Sequence, residues 1–317
     1  SLASEEELDT AGRPLRFEFG FIASTDDHTS RPGTGYKQYA RKKMTFSPGV
    51  QSDWLSPRDA LPRPEDPRSA IGLDPQVRMQ DSERVTSFTY PGGIVAVHAE
   101  NRSREAVWSA LRGRETYGTS GPKMLLWFDL LNGPSGRAPM GSSIEMVERP
   151  RFEVRAAGAF EQKPGCPEEA EAALSRERLR ALCAGECENP SEDRHPIEAI
   201  EIVRIRPRTA QGESASELIE DPWRRFECAP ERDGCTIEFE DPEFASLGRD
   251  VLYYARAIQV PTPAINGDNL RAETDANGNV VSVEPCYGDY RTDMNDDCLA
   301  PAGERAWSSP IFLNRPL

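Results

Sequence analysis

Asp26 and His28 are the two residues in this sequence best placed to do chemistry. A carboxylate and an imidazole two positions apart point the same way in extended chain, so both can reach one divalent ion. A metal held there would activate water or polarise an ester. Asp27 points the other way and reads as structural. The competing reading is a hydrogen-bonded turn in which Asp26 caps loop amides. Arg31, Lys37, Arg41, Lys42 and Lys43 follow in a local basic loop. Arg31 and Lys37 are candidates to neutralise an anionic substrate, although charges of this kind ordinarily face solvent.

A second polar group is Glu115, Thr116, Tyr117, Thr119 and Ser120, in a stretch (Arg114 to Pro122) that reads as a tight loop. Hydroxyls and amides in such a loop could hold an oxyanion or support a ligand. Ordinary turn chemistry explains the same residues. Glu273, Asp275, Asn277, Asn279 and Glu284 fall at EF-hand-like offsets, but an Asn277-Gly278 hairpin turn accounts for them equally. No nucleophile elbow, P-loop or dinucleotide fingerprint occurs. His98 sits in an expected strand and reads as a packing residue. No catalytic residue follows from the motifs.

The elements that would carry these groups are legible. Phe17, Phe19, Phe21 and Ile22 make a nearly continuous apolar run, which predicts a strand from Arg16 to Ser24, covered on both faces and running into the polar loop that carries Asp26. Residues 30–90 are Pro-rich and irregular, which fits either an inserted functional loop or a decorative surface loop. Gly92 to Ala99 predicts a second strand, Asn101 or Ser103 caps a helix that Gly113 stops, and Lys123 to Leu130 predicts a third strand. Strand, loop, strand, helix, strand is α/β grammar. Asn132 to Ser142 reads as a hinge. Beyond it, short alternating strands predict a β-sandwich; Ile197 to Pro207 carries its isoleucines and valine on one face. The expected division is 1–131, 132–142 as linker, and 143–317.

The chain has 317 residues and a net charge of −15, which argues against nucleic acid and anionic membranes as partners. No apolar run is long enough to span a bilayer. The seven cysteines all lie from Cys166 onward. Cys228 with Cys235, and Cys286 with Cys298, flank loops; Cys166, Cys183 and Cys187 cluster around a helical segment. Disulfides in an oxidising compartment explain this better than zinc, and the odd count leaves one thiol over.

Four blocks carry a family resemblance: FGFIASTDDHTSRPGTGY, GGIVAVHAENRSREAVWSALRGRETYGTSGP, APMG and ERAWSSPIF. They resemble a largely uncharacterised bacterial group built on the PHP (polymerase and histidinol phosphatase) metal-dependent hydrolase domain. The resemblance implies a distorted β/α barrel followed by a β-sandwich-like appendage, export to the periplasm or beyond, and hydrolysis of a small phosphate-ester-like substrate. It implies divalent Mn, Fe or Zn, with Asp26 and His28 as the family's final metal motif. Its opening His-x-His and other ligands are absent here. The chain is therefore expected to be the C-terminal portion of a longer protein, inert without the N-terminal portion. The alternative from another class is a non-catalytic β-sandwich that binds a ligand or partner.

Overall fold

The computed structural model describes residues 7–8, 14–15, 17–24, 93–209, 212–264, 270–277, 280–285 and 299–316. Asp26, His28, Arg31, Lys37, the expected insertion at 30–90, Cys286 and Cys298 lie outside the described residues.

β1 (Glu7–Leu8) and β2 (Pro14–Leu15) pair antiparallel. The main body begins with β3 (Ile94–Val97), α1 (Arg104–Arg112), β4 (Thr116–Thr119), β5 (Leu125–Gly133), β6 (Gly136–Pro139) and β7 (Ser143–Glu145). β8 (Arg151–Ala157) and β9 (Phe160–Pro164) lead into α2 (Glu168–Ala173) and α3 (Arg176–Cys183). There follow β10 (Glu188–Arg194), β11 (Ile197–Ile205), α4 (Ala215–Leu218), β12 (Ile219–Glu227), β13 (Cys235–Glu240), α5 (Phe244–Leu247) and β14 (Val251–Gln259). The chain closes with β15 (Thr262–Ala264), β16 (Leu270–Thr274), β17 (Val280–Pro285), β18 (Ala300–Ala302), β19 (Arg305–Ser308) and β20 (Ile311–Asn314).

Two sheets face each other. The larger has eight strands in the order β12-β11-β14-β19-β4-β3, with β20 beside β14 and β7 beside β20. The smaller is β13-β8-β5-β6. Aromatic rings fill the space between them. Phe152 stacks on Phe128 and Phe239 at 5.4 and 4.9 Å and meets Tyr253 of the opposite sheet at 4.9 Å. Ile200 and Ile202 join this core, while Val203 and Ile205 turn outward into a second cluster with Leu252 and Phe312. β11 is thus covered on both faces, rather than carrying its apolar residues on one. A register shift between Ile197 and Ala199 breaks the strict alternation.

The antiparallel character corrects the expected α/β grammar. Among the described residues only β20 with β7 runs parallel, and no sheet closes into a barrel. β3 and β4, with α1 between them, pair antiparallel. Hydrophobic period reveals a strand but not its direction. The helix itself is as expected: Ser103 Oγ accepts from Ala106 N at 3.1 Å, and Asn101 Oδ1 accepts from Ser103 N. Gly113 ends α1, but the left-handed residue is Arg114, with φ 60°.

Residues 132–142 are not a linker. They form the β5–β6 hairpin, and strands from before and after them share both sheets. β16 and β17 pair as a hairpin, with Asn277 N donating to Asp275 Oδ1 at its turn. Disulfides join Cys166 to Cys187 and Cys228 to Cys235, leaving Cys183 free. Closing the longer of these loops, with a sequence separation of 21, stabilises by about 3 kcal/mol in the chain-entropy picture. No described helix is long and apolar enough to cross a membrane.

One buried ionic cluster pins the end of the core. Arg204 binds Glu220 in a bidentate pair at 2.7 and 2.9 Å and reaches Asp241 at 2.9 Å, while lying over the Trp223 ring. Asp241 is fully buried and also accepts from the Tyr253 hydroxyl at 2.5 Å. Burial and the neighbouring Asp241 carboxylate push the Tyr253 phenol well above its usual pKa, so it remains a donor. Removing one partner from such a group leaves uncompensated buried polarity. Asp241→Ala is expected to cost roughly 3 kcal/mol in urea denaturation; a loss under about 0.5 kcal/mol, as for a surface change, would show that the cluster contributes little.

Candidate functional site

The expected ligand pair follows directly on residues 17–24, whose mounting is described in detail. This segment is not a laddered strand. It lies across the outer face of the large sheet and is held by side chains. Phe21 N donates to Ser309 Oγ at 2.8 Å, and Thr116 Oγ1 donates to Phe21 O at 2.9 Å. Thr116 and Ser309 hydroxyls lie 3.0 Å apart. Because the Thr116 proton is committed to Phe21 O, Ser309 is the donor within the pair, and every group in the lock is satisfied. Arg114 clamps the front: its guanidinium donates to Glu18 O at 2.7 Å and to Gly141 O at 2.9 Å.

Small residues let the segment lie close. A Cβ on Gly118 would come within 2.8 Å of Ala23 Cβ, and one on Gly93 within 2.3 Å of Ser24 O. Phe21 rests edge-on against Tyr254 at 5.2 Å. The large side chains point the other way: Phe17 is 64%, Phe19 40% and Ile22 71% exposed. The expected strand buried on both faces is therefore corrected. One side is docked, the other faces out. β4, over which the segment lies, already pairs with both β3 and β19.

The second group also changes character. Arg114 to Pro122 is not a loop ligand; Thr116 to Thr119 are the four buried residues of β4. Thr116 serves the lock, Tyr117 Oη donates to Met124 O at 3.0 Å, and Thr119 Oγ1 accepts from Gly121 N. Ser120 Oγ donates to Glu304. These hydroxyls are spent on internal partners. Glu115 alone opens into a pocket of about 290 Å³, shared with His98, Trp127, Asp129, Arg137 and Arg155.

Within that pocket, His98 lies between the Tyr117 and Trp127 rings, at 5.3 and 5.7 Å. Its Nε2 donates to Leu126 O at 2.8 Å. Arg155 lies over Trp127 at 5.1 Å, and Arg137 pairs with Asp129 at 2.7 Å. Burial pushes the Glu115 carboxyl above its usual pKa; His98 opposes this, while Glu100 and Asp129 add to it. The sequence flagged Glu115 but not Trp127, Asp129, Arg137 or Arg155, which come from three strands, β5, β6 and β8. Ser309 did carry a signal, since it lies in the AWSSPIF block.

Among the described residues, the one group of three His, Cys, Asp or Glu side chains close enough to share an ion is Cys166, Cys183 and Cys187. A family model described as a protein of unknown function (DUF3604) matches residues 5–130. The matched stretch ends inside β5. No curated protein and no solved structure matches the chain.

Ser309→Ala would strand Phe21 N and remove the donor to Thr116. It is expected to cost about 1–3 kcal/mol and to open residues 17–24 to limited proteolysis. An unchanged cleavage pattern would show that the lock does not hold the segment. Glu115 gives a pH signature. With its folded pKa raised, folding takes up a proton, so its contribution to stability falls as pH rises from the ordinary carboxylate value through the raised one. Glu115→Gln should therefore stabilise at pH 7 and be neutral near pH 3, by urea denaturation at both. An equal effect at the two values would show that burial does not perturb Glu115.

Proposed function

We propose that this chain is part of an exported, PHP-type metal-dependent hydrolase acting on a phosphate-ester-like substrate, with Asp26 and His28 as two ligands of a Mn, Fe or Zn ion. The observation that carries the reading is the mounting of residues 17–24. Buried hydroxyls, a guanidinium clamp and two glycine contacts fix this segment through Ser24, two residues before Asp26. Catalytic ligands need that kind of rigid support.

Two ligands do not fit an ion by themselves. Zinc takes about four donors and the harder cations about six. The described residues add no cluster of histidines and carboxylates. The reading therefore requires donors from a further layer, and the outward Phe17, Phe19 and Ile22 offer the apolar surface such a layer would cover. A barrel completed there is the finer form of the proposal. The bound ion would supply an activated water. Arg31 and Lys37 would neutralise the substrate's charge, and the Phe21 lock would hold the direction in which the ligand pair leaves the sheet.

The alternative, a non-catalytic binding module, draws on the pocket at Glu115 and Trp127, which has an aromatic wall beside carboxylate and guanidinium groups. Metal analysis separates the two. The isolated 317-residue chain is expected to hold less than one equivalent of metal and to leave a generic phosphodiester intact. In a longer polypeptide that supplies the other donors, Asp26→Ala should abolish both metal retention and turnover. Full metal content and unchanged turnover in that variant would sink the hydrolase reading.

A further inference from the structure

Cys166, Cys183 and Cys187 form a three-sulfur group that the proposed hydrolysis does not use. Cys166 follows β9 and Cys187 precedes β10, so their disulfide closes the base of the excursion that carries α2 and α3. Cys183 is the last residue of α3. Beyond it, Ala184 and Gly185 take consecutive positive φ values of 50° and 86°, which fold the chain back on the helix end. A non-glycine residue held there is strained. The turn brings Cys187 Sγ to 2.9 Å from Cys183 Sγ.

That separation is well inside the van der Waals contact of two sulfurs. Cys187 is bridged to Cys166 and has no proton to give, so the contact is not a hydrogen bond donated by Cys187. The Cys183 thiol instead donates to Leu179 O at 3.0 Å, which leaves its sulfur lone pairs for Cys187. All three residues are half-buried, so solvent can take and return a proton. A thiol against one sulfur of a disulfide is the arrangement from which exchange proceeds.

We propose that Cys166, Cys183 and Cys187 are a thiol–disulfide exchange site with two interconverting pairings. Cys183 loses its proton to solvent, and its thiolate attacks Cys187 Sγ. The Cys183–Cys187 bond forms as the Cys166–Cys187 bond breaks. Cys166 leaves as a thiolate and takes up a proton. No external oxidant or reductant is consumed. The covalent closure moves from the base of the excursion to the end of α3, and Cys166 becomes the accessible thiol, able to attack an outside disulfide, forming a mixed disulfide and releasing that disulfide's other sulfur as a thiolate. Cys228–Cys235, with no third cysteine grouped with it among the described residues, provides an internal control.

The test labels the native, non-reduced chain with N-ethylmaleimide, quenches in acid, digests without reductant and maps the label. Label should divide between Cys166 and Cys183, with Cys187 unlabelled and Cys228–Cys235 intact. Cys183→Ser should lose the label at Cys166, and Cys166→Ser should yield a Cys183–Cys187 bridge with neither sulfur labelled. Label confined to Cys183 in the unaltered chain would overturn the proposal, and that readout requires no variant to fold. Zinc carried by three reduced thiols in the protein as isolated would also overturn it, in favour of a structural metal site.

Discussion

Everything in the larger sheet depends on β19, four residues close to the end of the described chain. β19 pairs with β14 on one side and β4 on the other. Without it the sheet would separate into β12-β11-β14, with β20 and β7 still attached to β14, and β3-β4. Trp307 lies opposite Gly118 of β4, and Ala306 lies opposite both Ala257 and Thr119. The backbone ladder therefore ties residues near 117 to residues near 307. Ser308 and Ser309 extend the tie into side chains. Ser308 Oγ accepts from Ala255 N, and Ser309 Oγ from Phe21 N. Buried hydroxyls are costly unless satisfied, so both serines are fixed in place by the groups they serve.

That seam explains why no domain boundary falls at 132–142. The aromatic core needs β5 and β8 on one side and β11 and β14 on the other. β5 comes from the first part of the chain, the remainder from the second. Neither part could bury Phe128, Phe152, Phe239 and Tyr253 alone. The match to an uncharacterised family ends inside β5 and so crosses a strand that the core requires.

Charge is handled in two ways. On the outer face, burial pushes the Glu201 carboxyl up, but the guanidinium groups of Arg225 and Arg256 outweigh it and hold its pKa below the usual range. Such a group contributes stability above its unfolded pKa and loses it as pH falls through the folded one. Between the sheets, Arg204, Asp241 and Tyr253 are bonded to one another with little solvent. Exposed pairs such as Arg151 with Glu240 contribute little by comparison.

The sequence by itself determined the elements. β-branched runs marked β3 and β11, Ser103 marked the start of α1, and Cys228 with Cys235 marked a stapled turn. It also singled out Asp26 and His28 as a ligand pair, and Glu115, by residue type and spacing. Only the tertiary structure decided what those elements do together. Strand direction turned an apparent α/β pattern antiparallel, because periodicity reports which face is apolar and not which neighbour pairs. Thr116, Tyr117 and Thr119 became internal bonding groups, because whether a hydroxyl is free depends on partners as far away as Ser309. Cys183 became the free sulfur against a disulfide because a left-handed turn at Ala184 and Gly185 placed it there. Each of these depends on contacts between residues distant in sequence or on a backbone angle, and neither is encoded in local composition.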